Sequence, residues 1–352
     1  EELAAKEAAE ERKKLIFERM EKSAAEADPI FAKGFNHRFE ALEIWEDLVT
    51  RENNVYAMLR IGMFWMEASD PKGFKYLLKA AKFGLVEAQV KVARIYFHGY
   101  LVEKDIREAI SWWLAAIFTG DKEALDDMRE RAPTNLSVAW NLAKTYNDGK
   151  LIKKDSSEAK KFYDIAWESF GYEPAKAKSL QISAEFGNSE SAFLYAEALE
   201  NGLGVEKDFE SALNFYHASA MGGNVNALFR LGELYSEGNQ IEQDNIKAVR
   251  FFGEAAKKGN MFAFERWVLL SSKDRTGEEK FKLAELYETG QLSQKDLIKA
   301  FNWFKLAGDS SYYKGYYRAA LIIEQNSIEL SNSEFERAIN LHALAAEKGI
   351  SG

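Results

Sequence analysis

Cysteine is absent from the 352 residues. That excludes a disulfide framework, a thiol nucleophile and any cysteine-based metal site. A cysteine-free chain fits the cytoplasm and the bacterial periplasm equally well. Proline occurs only 4 times, so little in the chain breaks a helix. Histidine is also scarce: His37, His98, His217 and His342 lie far apart, and no pair has the three-to-five spacing that lets one helix hold a metal. They read as surface or helix-end residues. The longest uncharged run near the middle, Ala109 to Gly120, falls well short of the ~20 apolar residues that span a bilayer. Clustered basic residues are missing as well. The net charge of -9 argues against a broad nucleic-acid footprint. The first residue is Glu1, with no basic-then-apolar signal segment after it, which reads as a fragment or a processed product.

Chemical motifs are equally sparse. Gly202-Leu203-Gly204 lacks the third glycine of a nucleotide loop, and no strand pattern precedes it. No Walker loop or Gly-x-Ser-x-Gly elbow occurs. The expectation is a chain with no catalytic residue, no metal, no cofactor and no small-molecule substrate.

What is present favours helix and a core. Apolar residues make up 47% and aromatics 13%, too many for a disordered chain. The dominant signal is an internal repeat. Five segments carry a Gly and, six residues on, an Asp: Gly99/Asp105, Gly149/Asp155, Gly202/Asp208, Gly238/Asp244 and Gly290/Asp296. Four residues after each Asp stands Ala109, Ala159, Ala212, Ala248 or Ala300. Then comes an aromatic pair: Trp112-Trp113, Phe162-Tyr163, Phe215-Tyr216, Phe251-Phe252 and Trp303-Phe304. Small residues follow at Ala116, Ala166, Ser219, Ala255 and Ala307. Each Gly suits the left-handed end of a first helix, and each Asp suits the N-cap of a second. The Ala–aromatic–Ala spacing then forms one helical stripe. In the first helices, Ala93, Ala143, Ala196, Gly232 and Ala284, with Tyr96, Tyr146, Leu199, Tyr235 and Tyr287, read as core.

The basic period is 36 residues, seen in Gly187-Asn188, Gly223-Asn224 and Gly259-Asn260. Three other Gly-to-Gly steps of 50, 53 and 52 residues carry 14 to 17 extra residues. An added helix is expected in each, near 121–131, 174–186 and 261–272. A shortened unit around Ala57 and Gly62, with the loop Ala68-Ser69-Asp70, precedes the array, and a degenerate unit with Ala338, Ala345 and Gly349 closes it. Ala41, Ile44 and Trp45 read as an orphan second helix. Residues 1–35 read as a Glu/Ala/Lys-rich helix or linker, and 36–350 as the repeat domain.

A small residue, then Tyr, then Gly-(x)5-Asp-(x)3-Ala-(x)2-aromatic-aromatic resembles the Sel1-like repeat, a relative of the tetratricopeptide repeat. The stretch Asn201-Gly202-Leu203-Gly204-Val205-Glu206-Lys207-Asp208 is similar to that family's loop. The resemblance covers roughly residues 36–350. It implies an all-α fold: a right-handed α/α superhelical solenoid of about seven helix pairs, with extra helices in some units. It also implies a non-enzymatic scaffold or adaptor that holds a partner protein. Members serve bacterial envelope assembly, secretion systems, motility and host contact, and eukaryotic membrane-protein degradation. A periplasmic setting is the first expectation and a cytoplasmic one the alternative. An immunity protein that blocks a secreted toxin is the second functional reading, and a cell-wall-directed hydrolase the third.

The positions 12, 8, 5 and 1 before each Gly are non-core, and their 4-3-4 spacing puts them on one face of the first helix. The face offers Arg60, Met63, Lys91, Arg94, Asn141, Lys144, Leu194, Glu197, Arg230 and Glu233 as partner-binding candidates. One position runs Met63, Arg94, Lys144, Glu197, Glu233, Glu285. That is either ordinary solvated charge or a groove basic at its N-terminal half and acidic at its C-terminal half, able to orient a partner. As surface charges, Arg94 and Lys144 are expected to be replaceable with little effect on stability.

Overall fold

The computed structural model describes residues 2–270, 276–291, 295–325 and 332–350. The chain forms two compact units, Glu1–Ile182 and Ser183–Gly352. Among the described residues there is no strand.

The first unit opens with α1 (Glu2–Ala25), α2 (Asp28–Phe31) and α3 (Phe35–Glu52). Three helix pairs follow. They are α4 (Val55–Glu67) with α5 (Lys72–Lys82), α6 (Val86–His98) with α7 (Ile106–Phe118), and, after the intercalated α8 (Lys122–Arg131), α9 (Leu136–Asp148) with α10 (Ser156–Phe170). Helix α11 (Glu173–Glu185) leads into the second unit. There the pairs are α12 (Ser189–Asn201) with α13 (Phe209–Met221) and α14 (Val225–Glu237) with α15 (Asn245–Lys257). After the intercalated α16 (Met261–Leu270) come α17 (Gly277–Thr289) with α18 (Leu297–Asp309) and α19 (Lys314–Gln325) with α20 (Asn332–Glu347). The seven pairs and the three added helices match the repeat spacing. Residues 271–272 of the third expected insertion, and the side chain of Ala338, lie outside the described residues.

The repeat motif works as a hydrogen-bonded turn. Gly99, Gly149, Gly202, Gly238 and Gly290 all have φ between 66 and 76°, a conformation that costs glycine little. Each following Asp caps the next helix, as when the Asp105 carboxylate accepts from the Arg107 and Glu108 N–H groups. The Asp backbone N–H also reaches back to the first helix. Asp105, Asp155, Asp208, Asp244 and Asp296 donate to the carbonyls of Tyr96, Tyr146, Leu199, Tyr235 and Tyr287 at 2.9 to 3.1 Å. One residue type therefore closes the turn from both sides.

The small positions are buried at every repeat, and so is the second member of each aromatic pair. The first members differ. Phe162 is buried, but Phe215 and Phe251 are only half-buried. The sequence pattern assigned both members to the core. The structure corrects this for Phe215 and Phe251: adjacent helical side chains diverge by about 100°, so when the second member faces the core the first sits at its edge, and only the packing around Phe162 covers both. Phe251 instead stacks on Tyr235, with ring centroids 5.7 Å apart. Ile44 is also exposed, whereas Ala41 and Trp45 are buried. The start of the chain is anchored: Trp45 donates its indole N–H to the Ala24 carbonyl, and Asn54 donates to the Met20 carbonyl.

Candidate partner-binding face

In the first unit the face of the first helices carries two pockets. One of about 410 Å³ lies between α4, α5 and α6. Met63, Met66, Leu77 and Ile95 form its apolar floor, and Glu67, Lys91 and Arg94 its polar rim. The second, about 290 Å³, is bounded by Leu114 of α7, by Asn141, Lys144, Thr145 and Asp148 of α9, and by Lys150 and Leu151 of the turn after it. The structure thus gathers Met63, Lys91 and Arg94 at one place and Asn141 and Lys144 at another.

Most of the charges on this face are matched from within the chain. Arg60 holds both carboxylate oxygens of Asp28 at 3.0 Å. Lys91 lies 3.5 Å from Glu87, one helical turn away. Arg94 binds Asp127 at 2.6 Å and Glu123 at 2.7 Å, both on the intercalated α8. Asp127 is buried and also accepts from Arg131 and from the Trp113 indole N–H. These hydrogen bonds and the neighbouring carboxylates raise the Arg94 guanidinium above its ordinary value, against the opposing effect of burial. Arg94 is therefore a bridge between two helices. The expectation that it could be reversed without loss of stability is corrected, because reversal sets a third carboxylate against Glu123 and the buried Asp127 and leaves Asp127 with Arg131 as its one cation. Lys144 differs: it is exposed and, among the described residues, forms no ion pair, with Asp148 on the rim of the same pocket. Asn141 bonds back to its own helix at the Ser137 carbonyl.

In the second unit, Leu194 is exposed and Glu197 half-buried. Burial raises the Glu197 carboxyl, and the Glu200 carboxylate raises it further. Burial also pushes Glu200 up, but hydrogen bonds from Arg230 and Tyr216 outweigh it and bring Glu200 below its ordinary value. Arg230 bridges Glu200 and Glu233. The same geometry recurs at Arg318, which pairs with Glu288. Both pairs join first helices 30 residues apart. The matching spacing was legible in the sequence but was not read there, because i,i+30 has meaning only once the stack is known.

Other features carry less. Among the described residues no group of His, Asp and Glu has the arrangement to hold a metal, and no helix is long and apolar enough to cross a membrane. His217 is half-buried against Tyr235 and Phe251, and desolvation with the nearby Lys247 lowers its pKa. A cavity of about 840 Å³ beside Phe74, Tyr96 and Trp112 is rimmed by three cations and three anions, Lys82, Lys104 and Arg107 against Glu103, Asp105 and Glu108.

Comparison with known proteins places these observations. The Sel1 repeat pattern matches at residues 56–84, 86–117, 137–166, 189–224, 225–260 and 280–312. No curated protein matches the chain. Among solved structures, the chain is similar to c5321, a protective antigen of uropathogenic Escherichia coli with an SLR fold. The identity is 20% and the TM-score 0.28, covering 88% of this chain and 64% of the antigen. It is also similar to a Sel1 repeat protein of Oxalobacter formigenes, at 20% identity and a TM-score of 0.23, covering 84% of this chain and 99% of that one. The immunity protein Pa5087 of Pseudomonas aeruginosa is 15% identical with a TM-score of 0.18, covering 67% and 74%.

Proposed function

The chain belongs to the Sel1 repeat family, and from that premise we propose that it is a non-enzymatic scaffold or adaptor whose first helices hold a partner protein. The observation that supports this reading is the pocket at Met63, Met66, Leu77 and Ile95, rimmed by Lys91 and Arg94. An apolar floor with a polar rim is the anatomy of a protein-binding hot spot. Two methionines in that floor adapt readily to a partner side chain. The remaining partner-binding candidates, Arg60, Asn141, Lys144, Leu194, Glu197, Arg230 and Glu233, lie on first helices as well. The setting we propose is a bacterial envelope or secretion assembly, on the periplasmic side.

The test is affinity capture with the whole chain, followed by hydrogen exchange on the purified complex. Protection should fall on α4, α6 and α9, or on α12, α14 and α17. Protection confined to the second helices sinks the proposal. A tight one-to-one complex with a single toxin, abolishing its toxicity, would replace the scaffold by an immunity role.

A further inference from the structure

The turn between α9 and α10 departs from its siblings in charge. Three of the other four repeat turns carry glutamate two residues before the capping aspartate: Glu103, Glu206 and Glu242. At that place this turn has Lys153, and it reads Lys150-Leu151-Ile152-Lys153-Lys154-Asp155. Lys150, Lys153 and Lys154 are exposed, and so is Lys144 on the adjacent last turns of α9. The other first-helix cations of this unit, Arg60, Lys91 and Arg94, each have a carboxylate partner. Among the described residues these four lysines form no ion pair, and Asp155 is engaged in capping the Ser157 and Glu158 N–H groups. In a chain of net charge -9, a local surplus of cations is a departure from the surrounding field and attracts an anionic partner.

The surplus borders an apolar pocket. Leu114, Leu151 and the stem of Lys144 line its about 290 Å³, with Asn141 and buried Thr145 beside them. That volume sits at the low end of the ~300–1,000 Å³ range of ligand pockets, so it suits a side chain and not a folded element. Phosphate-backbone binding needs cations but no aliphatic socket. An amphipathic peptide needs both. Asp148 on the same rim would exclude a carboxylate from its own side and so fix the direction of approach.

We infer that this pocket receives an acidic segment of a partner protein, with an apolar side chain seated between Leu114 and Leu151 and flanking carboxylates on Lys144 and Lys150. The inference rests on the scaffold reading and names the chemistry of one partner contact.

The experiment selects random phage-displayed peptides on the full chain at low salt. The enriched sequences are synthesised with a fluorescein label, and their affinities are measured by fluorescence polarisation. Enriched peptides should combine Asp or Glu with an aromatic or aliphatic residue. Their affinity should drop about tenfold or more in the Lys144→Glu/Lys150→Glu double variant, weaken as salt rises, and stay unchanged in a Glu210→Lys control on the second helix α13. Leu114→Trp, which fills the pocket, should reduce it too. The lysines are exposed, so thermal melts should leave the double variant folded, and it decides the matter if Leu114→Trp does not fold. Failure to enrich any peptide overturns the inference. So does enrichment of basic or uncharged sequences, indifference to the double variant, or equal binding of poly(U) RNA through the same lysines. Hydrogen exchange separates the two readings. Protection on other first helices but not α9 sinks the acidic-segment site alone, whereas absence of protection on every first helix sinks the scaffold.

Discussion

At the residue scale, the aromatic pairs divide their labour. Phe252 is fully buried, and an added methyl at Gly232 would stand only 2.6 Å from its ring. Phe252→Ala should therefore cost roughly 3–5 kcal/mol, as deletion of a buried aromatic ring does. Phe251→Ala should cost distinctly less, because its ring is half in water. Urea melts of the two variants check the order, and equal losses would refute it. Glu197 and Glu200 give opposite pH behaviour. Glu200 is held below its ordinary value, so its stabilisation is present above the unfolded-state pKa and is lost as pH falls through the folded one. Glu197 is raised, so its ionised form burdens the fold above the folded-state pKa and has no effect below the unfolded one. Melts of Glu197→Gln should show a gain in Tm near about pH 7 that vanishes by about pH 4, where an unperturbed glutamate is protonated. Glu200→Gln should lose stability near about pH 7, and that loss should persist down to about pH 4, where an unperturbed glutamate titrates, shrinking only at lower pH.

At the element scale, the intercalated helix α8 is tied to its neighbours by one buried carboxylate. Asp127 takes hydrogen bonds from Arg94, Arg131 and the Trp113 indole. Asp127→Ala leaves two guanidinium groups facing a buried gap and should cost about 3–5 kcal/mol, the usual effect of removing one partner from a buried pair. Denaturant melts measure it, and a loss below about 1 kcal/mol would mean that α8 sits on the stack without supporting it. The N-cap aspartates should be milder. Asp155→Ala should cost about 1 kcal/mol, since it loses the side-chain cap but keeps the backbone N–H bond to Tyr146.

At the scale of the whole molecule, a stack of repeats is held by neighbour contacts, so damage stays local. Each unit has its own buried clusters, such as the one around Trp113 and Tyr163 in the first and the one around Phe304 and Tyr287 in the second. Native-state hydrogen exchange of Phe252→Ala should therefore speed up at α14 and α15 and leave α4 to α7 at wild-type rates. Uniform acceleration across the chain would show a single cooperative fold instead.

The repeat, the turns and the added helices were legible before any coordinates. They depend on local chemistry: glycine at a left-handed turn, aspartate at a cap, and small and aromatic residues on one helical stripe. The same reading put ten residues on one face of the first helices, because 4-3-4 spacing needs nothing beyond helix geometry. Whether a charge on that face is available to a partner depends on groups about 30 residues away. Arg94 and Lys144 occupy equivalent positions five residues before their glycines. One is clasped by Asp127 and Glu123 from α8, and the other stands at the rim of an apolar pocket and, among the described residues, forms no ion pair. Spacing along the chain fixes the direction of a side chain, but what stands opposite it is set by how the helices stack.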